Sequence, residues 1–298
     1  MAVLYDIALK VRQHYAAFAA ASRQTLRLLP PTLAGEQQVV AAAVDVLPQP
    51  AERGDRQDFF GNIATDLVFG GAHEAIVYAL TARVRREPGR MTLPEAPPVA
   101  ALAQEVATIH SLAPEAPHHF LGPSPRLPYM PEFTDYVHAI LPAGAHAAAA
   151  VEAVGQALHR DMAFDANATE ADTPALEAFH RRRGVCQDFT HIMIACLRAL
   201  GIPAGYVSGF LRTTPPPGRP RLQGADAMHA WVRAWCGREV GWVDYDPTNA
   251  CLAGSGHVVV ARGRDYSDVA PVRGVLRSAG GQTSRHEVTM TPIGEEPL

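Results

Sequence analysis

Three side chains in this 298-residue sequence have the types and the chain order needed for nucleophilic acyl chemistry: Cys186, His229 and an aspartate downstream of it, Asp244 or Asp246. Cys186 stands in Gly184-Val185-Cys186-Gln187-Asp188-Phe189-Thr190-His191. Apolar residues at Phe189, Ile192, Met193, Cys196, Leu197 and Leu200 recur at helical spacing. Gly201-Ile202-Pro203 then ends the run. The cysteine therefore falls in or just before the first turn of a helix. There, unpaired backbone N–H groups and the positive end of the macrodipole favour an anion. A thiol in such a place can titrate at roughly 3.5–7.5 instead of about 8.5, and the thiolate is the nucleophile.

His229 opens a run of aromatic and β-branched residues, His229-Ala230-Trp231-Val232-Arg233-Ala234-Trp235, which reads as a strand. A second strand follows from Gly241 and stops at Asp246-Pro247, because the proline ring removes a ladder donor. A glycine-containing connection between Cys236 and Gly241 predicts a hairpin. His229 would then lie beside an aspartate on the neighbouring strand. Asp244 and Asp246 share one strand face, so spacing alone does not choose between them. The histidine would take and return a proton near working pH. The carboxylate would fix its tautomer and stabilise the imidazolium. Gln187, next to the thiol, and Trp231, two residues past the histidine, are candidate substrate contacts. Asp188 reads as an acidic residue suited to a helix start.

The blocks Gly184 to His191, Leu197 to Leu211, His229-Ala230-Trp231 and Trp242 to Asn249 resemble the bacterial transglutaminase-like cysteine hydrolases. So does the tail from Gly263 to Gly274. The resemblance runs from about Phe164 to Pro292, with a weaker part around Asp58-Phe59-Phe60-Gly61-Asn62. It implies a papain-like core, with Cys186 as nucleophile, His229 as base and Asp246, before Pro247-Thr248, as the orienting acid. It implies a peptide or protein substrate, with hydrolysis of a peptide or amide bond as the reaction. Transfer to an amine, and an inactive scaffold, are the alternatives. Met228 stands where relatives often carry Ser. No Trp or Tyr lies between Tyr136 and Cys186. The aromatic oxyanion donor of better-known transglutaminases is therefore missing, and the oxyanion hole must rest on backbone N–H groups, that of Cys186 included, or on a side chain that the sequence does not identify.

The elements that position these residues suggest an α+β protein in two parts. Residues 1–90 form a β-rich, sandwich-like domain. Alternation at Tyr5, Ile7, Leu9 and Val11 and runs at 39–46, 63–69 and 76–84 are its strands. The Ala16 to Ala21 stretch breaks the alternation and reads as helical. Prolines from Pro88 to Pro98 mark a linker. Residues 99–298 form the catalytic domain, with helices expected at 99–110, 145–162 and 174–181 ahead of the Cys186 helix. Strands follow at 204–211, 229–236, 241–246, 257–261 and 286–291, giving helices packed on an antiparallel sheet. A proline-rich loop at 213–224 is a possible substrate-facing segment.

A net charge of −4 and a pI near 6.3 offer no nucleic-acid face. The four cysteines set no disulfide framework, although Cys236 and Cys251 could pair. His118-His119 lacks companions at metal-ligand spacing, so neither a metal nor another cofactor is expected. The start lacks a basic and then apolar leader, and no apolar run is long enough to span a membrane. A cytoplasmic bacterial protein is expected, and the sequence leaves its oligomeric state open.

Overall fold

The computed structural model describes residues 2–213 and 226–293. Its architecture begins with one long strand, β1 (Val3–Leu26). Tyr5, Ile7, Leu9 and Val11 are buried on one face, as the alternation predicts. The Ala16 to Ala21 stretch is strand, not helix. The register against neighbouring strands shifts between His14 and Ala19 and again between Ala20 and Arg23, and Ala21 adopts φ 48. An irregularity that bends a strand breaks its two-residue period, and that break imitated a helix in the sequence.

The bend lets β1 serve two sets of partners. The other N-terminal strands are β2 (Gln37–Leu47), β3 (Glu52–Gln57), β4 (Ile63–Phe69) and β5 (His73–Arg86). The first half of β1 pairs with β5, and the second half pairs with β4. The resulting curled antiparallel sheet runs in the order β2-β5-β1-β4-β3.

The chain from residue 99 onward supplies helices and another sheet. The helices are α1 (Val99–Ala107), α2 (Pro131–Ile140), α3 (Ala147–Asp161), α4 (Ala175–Arg181) and α5 (Cys186–Ala199). Two-residue strands β6 (Ala163–Phe164) and β7 (Arg183–Gly184) pair in parallel just before α5. The main sheet contains β8 (Ala204–Leu211), β9 (Ala227–Trp235), β10 (Trp242–Asp246), β11 (Cys251–Leu252) and β12 (His257–Gly263). Its order is β11-β10-β9-β8-β12, and every neighbouring pair is antiparallel. The apolar face of α5, with Phe189, Ile192, Met193, Cys196 and Leu197, shares a core with Ala230, Val232 and Ala234 of β9.

A short helix α6 (Tyr266–Val269) leads to β13 (Val272–Arg277) and β14 (Gln282–Ile293). The strand expected near 286–291 is β14. It pairs with β1 from Leu4 to Tyr15 instead of joining the main sheet. Strand β13 pairs with the far half of β1. The chain thus returns to close the sheet with which it began.

The two sheets also share packing and hydrogen bonds. Phe210, Val258 and Val260 belong to the same core cluster as Tyr5 and Leu9. Strand β12 would otherwise present a free edge. The Gln37 side chain covers it at Val259, donating to the carbonyl at 2.8 Å and accepting from the N–H at 2.9 Å. Asn62 does the same at Arg262, at 2.8 and 2.7 Å. No described helix is long and apolar enough to cross a membrane. All four cysteines, Cys236 and Cys251 included, are free. Most of the proline-rich stretch at 213–224 lies outside the described residues.

Candidate active site

Cys186 is the first residue of α5 and is half-buried. The start of this helix is held by Asp188, whose Oδ2 accepts from the Val185 N–H at 2.8 Å and from Thr169 Oγ1 at 2.6 Å. Gly184 permits this fold-back, because a Cβ there would lie 2.5 Å from the same oxygen. Burial raises the pKa of Asp188, and the bonds from Thr169 and Val185 oppose that rise. Cys186 and Gln187 donate no backbone hydrogen bond among the described residues. These are the first-turn N–H groups that a helix leaves unpaired, and both flank the thiol.

His229 lies on β9, the strand against which the Cys186 helix packs. Its Nε2–H donates to Asp246 Oδ2 at 2.7 Å. Nδ1 is therefore the nitrogen that Asp246 leaves free. Burial disfavours the charged ring. The bonds to Asp246 and Cys186, together with their charges, outweigh burial and raise His229 to about 10. The hydrogen bond to the buried Asp246 carboxylate thus favours the protonated form of the ring.

Asp246 is fully buried and gathers five donors. Oδ2 accepts from His229, from Asn249 Nδ2 at 2.7 Å and from His257 Nε2 at 3.1 Å. Oδ1 accepts from the N–H groups of Thr248 and Asn249, at 3.0 and 3.2 Å. Burial by itself would raise its pKa. The hydrogen bonds from His229 and His257 exceed that effect and hold the carboxyl well below the usual range. The turn after β10 is thus wrapped around this carboxylate, as the Asp246-Pro247-Thr248-Asn249 sequence allows.

Asp244 points to the same face but has another partner. Its Oδ2 accepts from Trp231 Nε1 at 3.1 Å. Trp231 is completely buried beside both imidazoles, with ring centroids 6.4 Å from His229 and 5.2 Å from His257. Gly209 on β8 makes room for it. A Cβ there would come 2.4 Å from the indole and 2.2 Å from the Val258 carbonyl oxygen. Trp231 therefore forms the floor under the imidazoles. Gln187 is also buried, and its Nε2 donates to the Ala171 carbonyl at 2.9 Å, tying a loop to the helix start.

His257 is the residue that the sequence reading did not single out. It opens β12, directly across from Leu211, and reaches Asp246 over the floor formed by Trp231. Its Nδ1 accepts from the Gly254 N–H at 3.2 Å, which leaves Nε2 to carry the proton donated to Asp246. Local sequence shows only a histidine at the head of a strand, one of 13 in the chain. The ligand atoms of His229, Asp246 and His257 lie within 4.8 Å of one another, close enough to hold a metal ion. In the structure these atoms are already paired with each other by hydrogen bonds. The His118 and His119 rings lie 4.2 Å apart between centroids, tilted by 56° to one another.

Comparison with known proteins identifies the family and the fold. Residues 135–247 match the transglutaminase-like superfamily, and residues 5–85 match the bacterial transglutaminase-like N-terminal region. An uncharacterized protein of Mycobacterium tuberculosis is 35% identical over 256 residues, covering 80% of this chain and 77% of that protein. A protein-glutamine gamma-glutamyltransferase of Pseudomonas aeruginosa is 39% identical over 82 residues, 27% of this chain and 12% of that protein. The solved structure of an inferred cysteine protease from Cytophaga hutchinsonii superposes with a TM-score of 0.75 at 20% identity, covering 99% of this chain and 92% of that one. That likeness extends through both sheets and shows the shared fold.

Proposed function

Because the chain belongs to the transglutaminase-like superfamily, we propose that it is a thiol-dependent acyl-enzyme hydrolase acting on peptide or amide bonds. Cys186 is the nucleophile, His229 the acid and base, and Asp246 the group that orients the imidazole. The observation that supports this reading is the hydrogen bond from His229 to the fully buried Asp246 carboxylate, on a sheet packed against the helix that Cys186 opens.

The thiolate attacks the substrate carbonyl carbon, and the carbonyl π electrons move to oxygen. The N–H groups of Cys186 and Gln187 are the donors available to that oxyanion. The imidazolium gives its Nδ1 proton to the departing amine, and a thioester remains. Water then attacks the thioester while His229 takes its proton, and the carboxylic acid leaves as the thiolate returns. Asp246 keeps Nε2 protonated throughout, so Nδ1 alone exchanges protons. This division of labour is the one expected of a carboxylate that orients a catalytic histidine.

The Pseudomonas match favours a second reading, in which an amine replaces water in the last step. Transfer requires a second pocket that holds the amine and excludes water. Hydrolysis requires only water beside His229. A panel of glutamine peptides and amides, given with and without a fluorescent primary amine, separates the two. Free acid formed in excess of amine conjugate, and abolished in Cys186→Ala, is the expected result. Conjugate outrunning free acid at modest amine concentration favours transfer. Turnover that survives in Cys186→Ala overturns both readings.

A further inference from the structure

Between the N-terminal and main sheets lies a cleft of about 270 Å³, on the Asp244 side of Trp231. Glu36, Arg86, Arg90, Arg233, Trp242 and Asp244 line it. Its central group is Arg233 on β9. This side chain is only 7% exposed and lies across the Trp242 ring at 4.5 Å. Its Nε is buried without a hydrogen-bond partner. The nearest carboxylate oxygen, Asp244 Oδ1, is 4.0 Å away, beyond hydrogen-bonding distance. Among the described residues the Arg233 side chain donates no hydrogen bond.

The neighbouring charges leave this guanidinium under-compensated. Asp244 already accepts from Trp231. Glu36 pairs with Arg262, and its backbone carbonyl accepts from Arg86. Arg86 gives its Nε to the His257 carbonyl. Glu115 faces the site only from the exposed rim. Burial and the charge of Arg262 pull Arg233 down to about 9, so it remains a cation at neutral pH. A buried guanidinium with a fork of donors and no acceptor is suited to an oxyanion, which can bind two of its N–H groups side by side. The indole of Trp242 fixes the plane of the fork.

We propose that this cleft is a binding site for a small oxyanion, a carboxylate or phosphate group held by the Arg233 fork. The cleft has room for a small anion. Arg90 at its mouth adds a second cation, with one nitrogen bonded to the Val240 carbonyl at 2.9 Å.

Isothermal titration of the full chain with acetate, succinate and inorganic phosphate, each alone, tests the site and separates carboxylate from phosphate as its ligand. At least one anion should bind with one-to-one stoichiometry. Arg233→Gln should weaken that binding by about ten- to a hundredfold, the worth of a charge-assisted hydrogen bond. Arg233→Lys keeps the charge and loses the fork, and should also weaken binding. It decides the matter if the Gln variant does not fold, as judged by circular dichroism. Absence of binding by all three anions, or unchanged binding in a folded Arg233 variant, overturns the proposal.

Discussion

Replacing Asp246 by Asn tests the proposed mechanism at its most loaded atom. The substitution preserves shape but removes the charge, and it places an NH2 group where the native site has only acceptors. Five donors converge on that carboxylate. The magnitude follows from His229. It titrates at about 10 in the fold, against 6.5 for the ordinary side chain. At 1.36 kcal/mol per pKa unit, the site favours imidazolium by roughly 5 kcal/mol, net of burial. Asp246 and Cys186 share that support, and without Asp246 the burial penalty persists. A loss of about 10⁴ in turnover, the size seen for the same change in a serine triad, corresponds to a similar free energy.

The pH dependence carries the sign. A raised histidine is protonated below its folded value and loses its proton as pH rises through about 10. The alkaline limb of kcat/KM in the parent should therefore fall near pH 10. In Asp246→Asn it should move to lower pH. The same linkage makes the histidine's contribution to stability complete below 6.5 and lost as pH rises through about 10. The assay is amide hydrolysis from pH 5 to 11 for the parent, Asp246→Asn and Asp244→Asn, with each fold checked by circular dichroism. An active Asp246→Asn beside an inactive Asp244→Asn refutes the assignment. An alkaline limb that stays in place in Asp246→Asn refutes the electrostatic account.

Further outcomes follow from the same geometry. Brief iodoacetamide treatment at pH 7 should modify Cys186 alone: burial pushes Cys236 and Cys251 up to about 12 and about 11, and Cys196 higher still; peptide mapping that finds Cys196 labelled equally contradicts this. His257→Ala removes one donor from Asp246 but leaves the charge, so turnover should fall by about ten- to a hundredfold, the usual weight of an outer-shell partner; a loss as large as that of Asp246→Asn would give His257 a different part. Gly209→Ala forces a Cβ against the Val258 carbonyl and the Trp231 indole; a cost of about 1–3 kcal/mol should appear as a lowered urea midpoint, and an unchanged midpoint would show that the floor can yield. A protease nick between Pro88 and Pro98 should leave both fragments co-eluting on size exclusion, because β14 pairs with β1; separate elution under native conditions speaks against that closure.

How well each element could be read from the sequence depended on where its stabilising interactions lie. Helix α5 was readable because its apolar face and its stop at Gly201-Ile202-Pro203 are both local. The β9–β10 hairpin was readable for the same reason, with Trp242 paired to Trp235 as its connection suggests. Strand β3 was not readable. Its sequence, Glu52 to Gln57, is exposed throughout and polar, and only pairing with β4 makes it a strand. Strands β13 and β14 looked like ordinary C-terminal segments, yet their partner lies more than 200 residues earlier. Parity placed Asp244 and Asp246 on one face, and the structure distinguishes them by partner: an indole for one, two imidazoles for the other. His257 escaped notice because its role depends on a turn folding back over a tryptophan, a contact with no sequence period.

The N-terminal sheet has a direct path to the reacting groups. Gln37 and Asn62 clamp the outer edge of β12. Arg86 on β5 donates to the His257 carbonyl at 2.7 Å. His257 in turn donates to Asp246, and Asp246 holds His229. Each link is a hydrogen bond between groups with little exposure, so each is stiffer than the same contact in water and more damaging to lose. The Cys186 helix needs none of these links, since its start is fixed by Asp188 and Gly184 within the second half of the chain. The proposed nucleophile and the histidine proposed to serve it are therefore fixed by different parts of the molecule. The helix sets the thiol, and the sheet-to-sheet contact sets the imidazole through His257 and Asp246. A matched N-terminal region beside the core is what such a division requires.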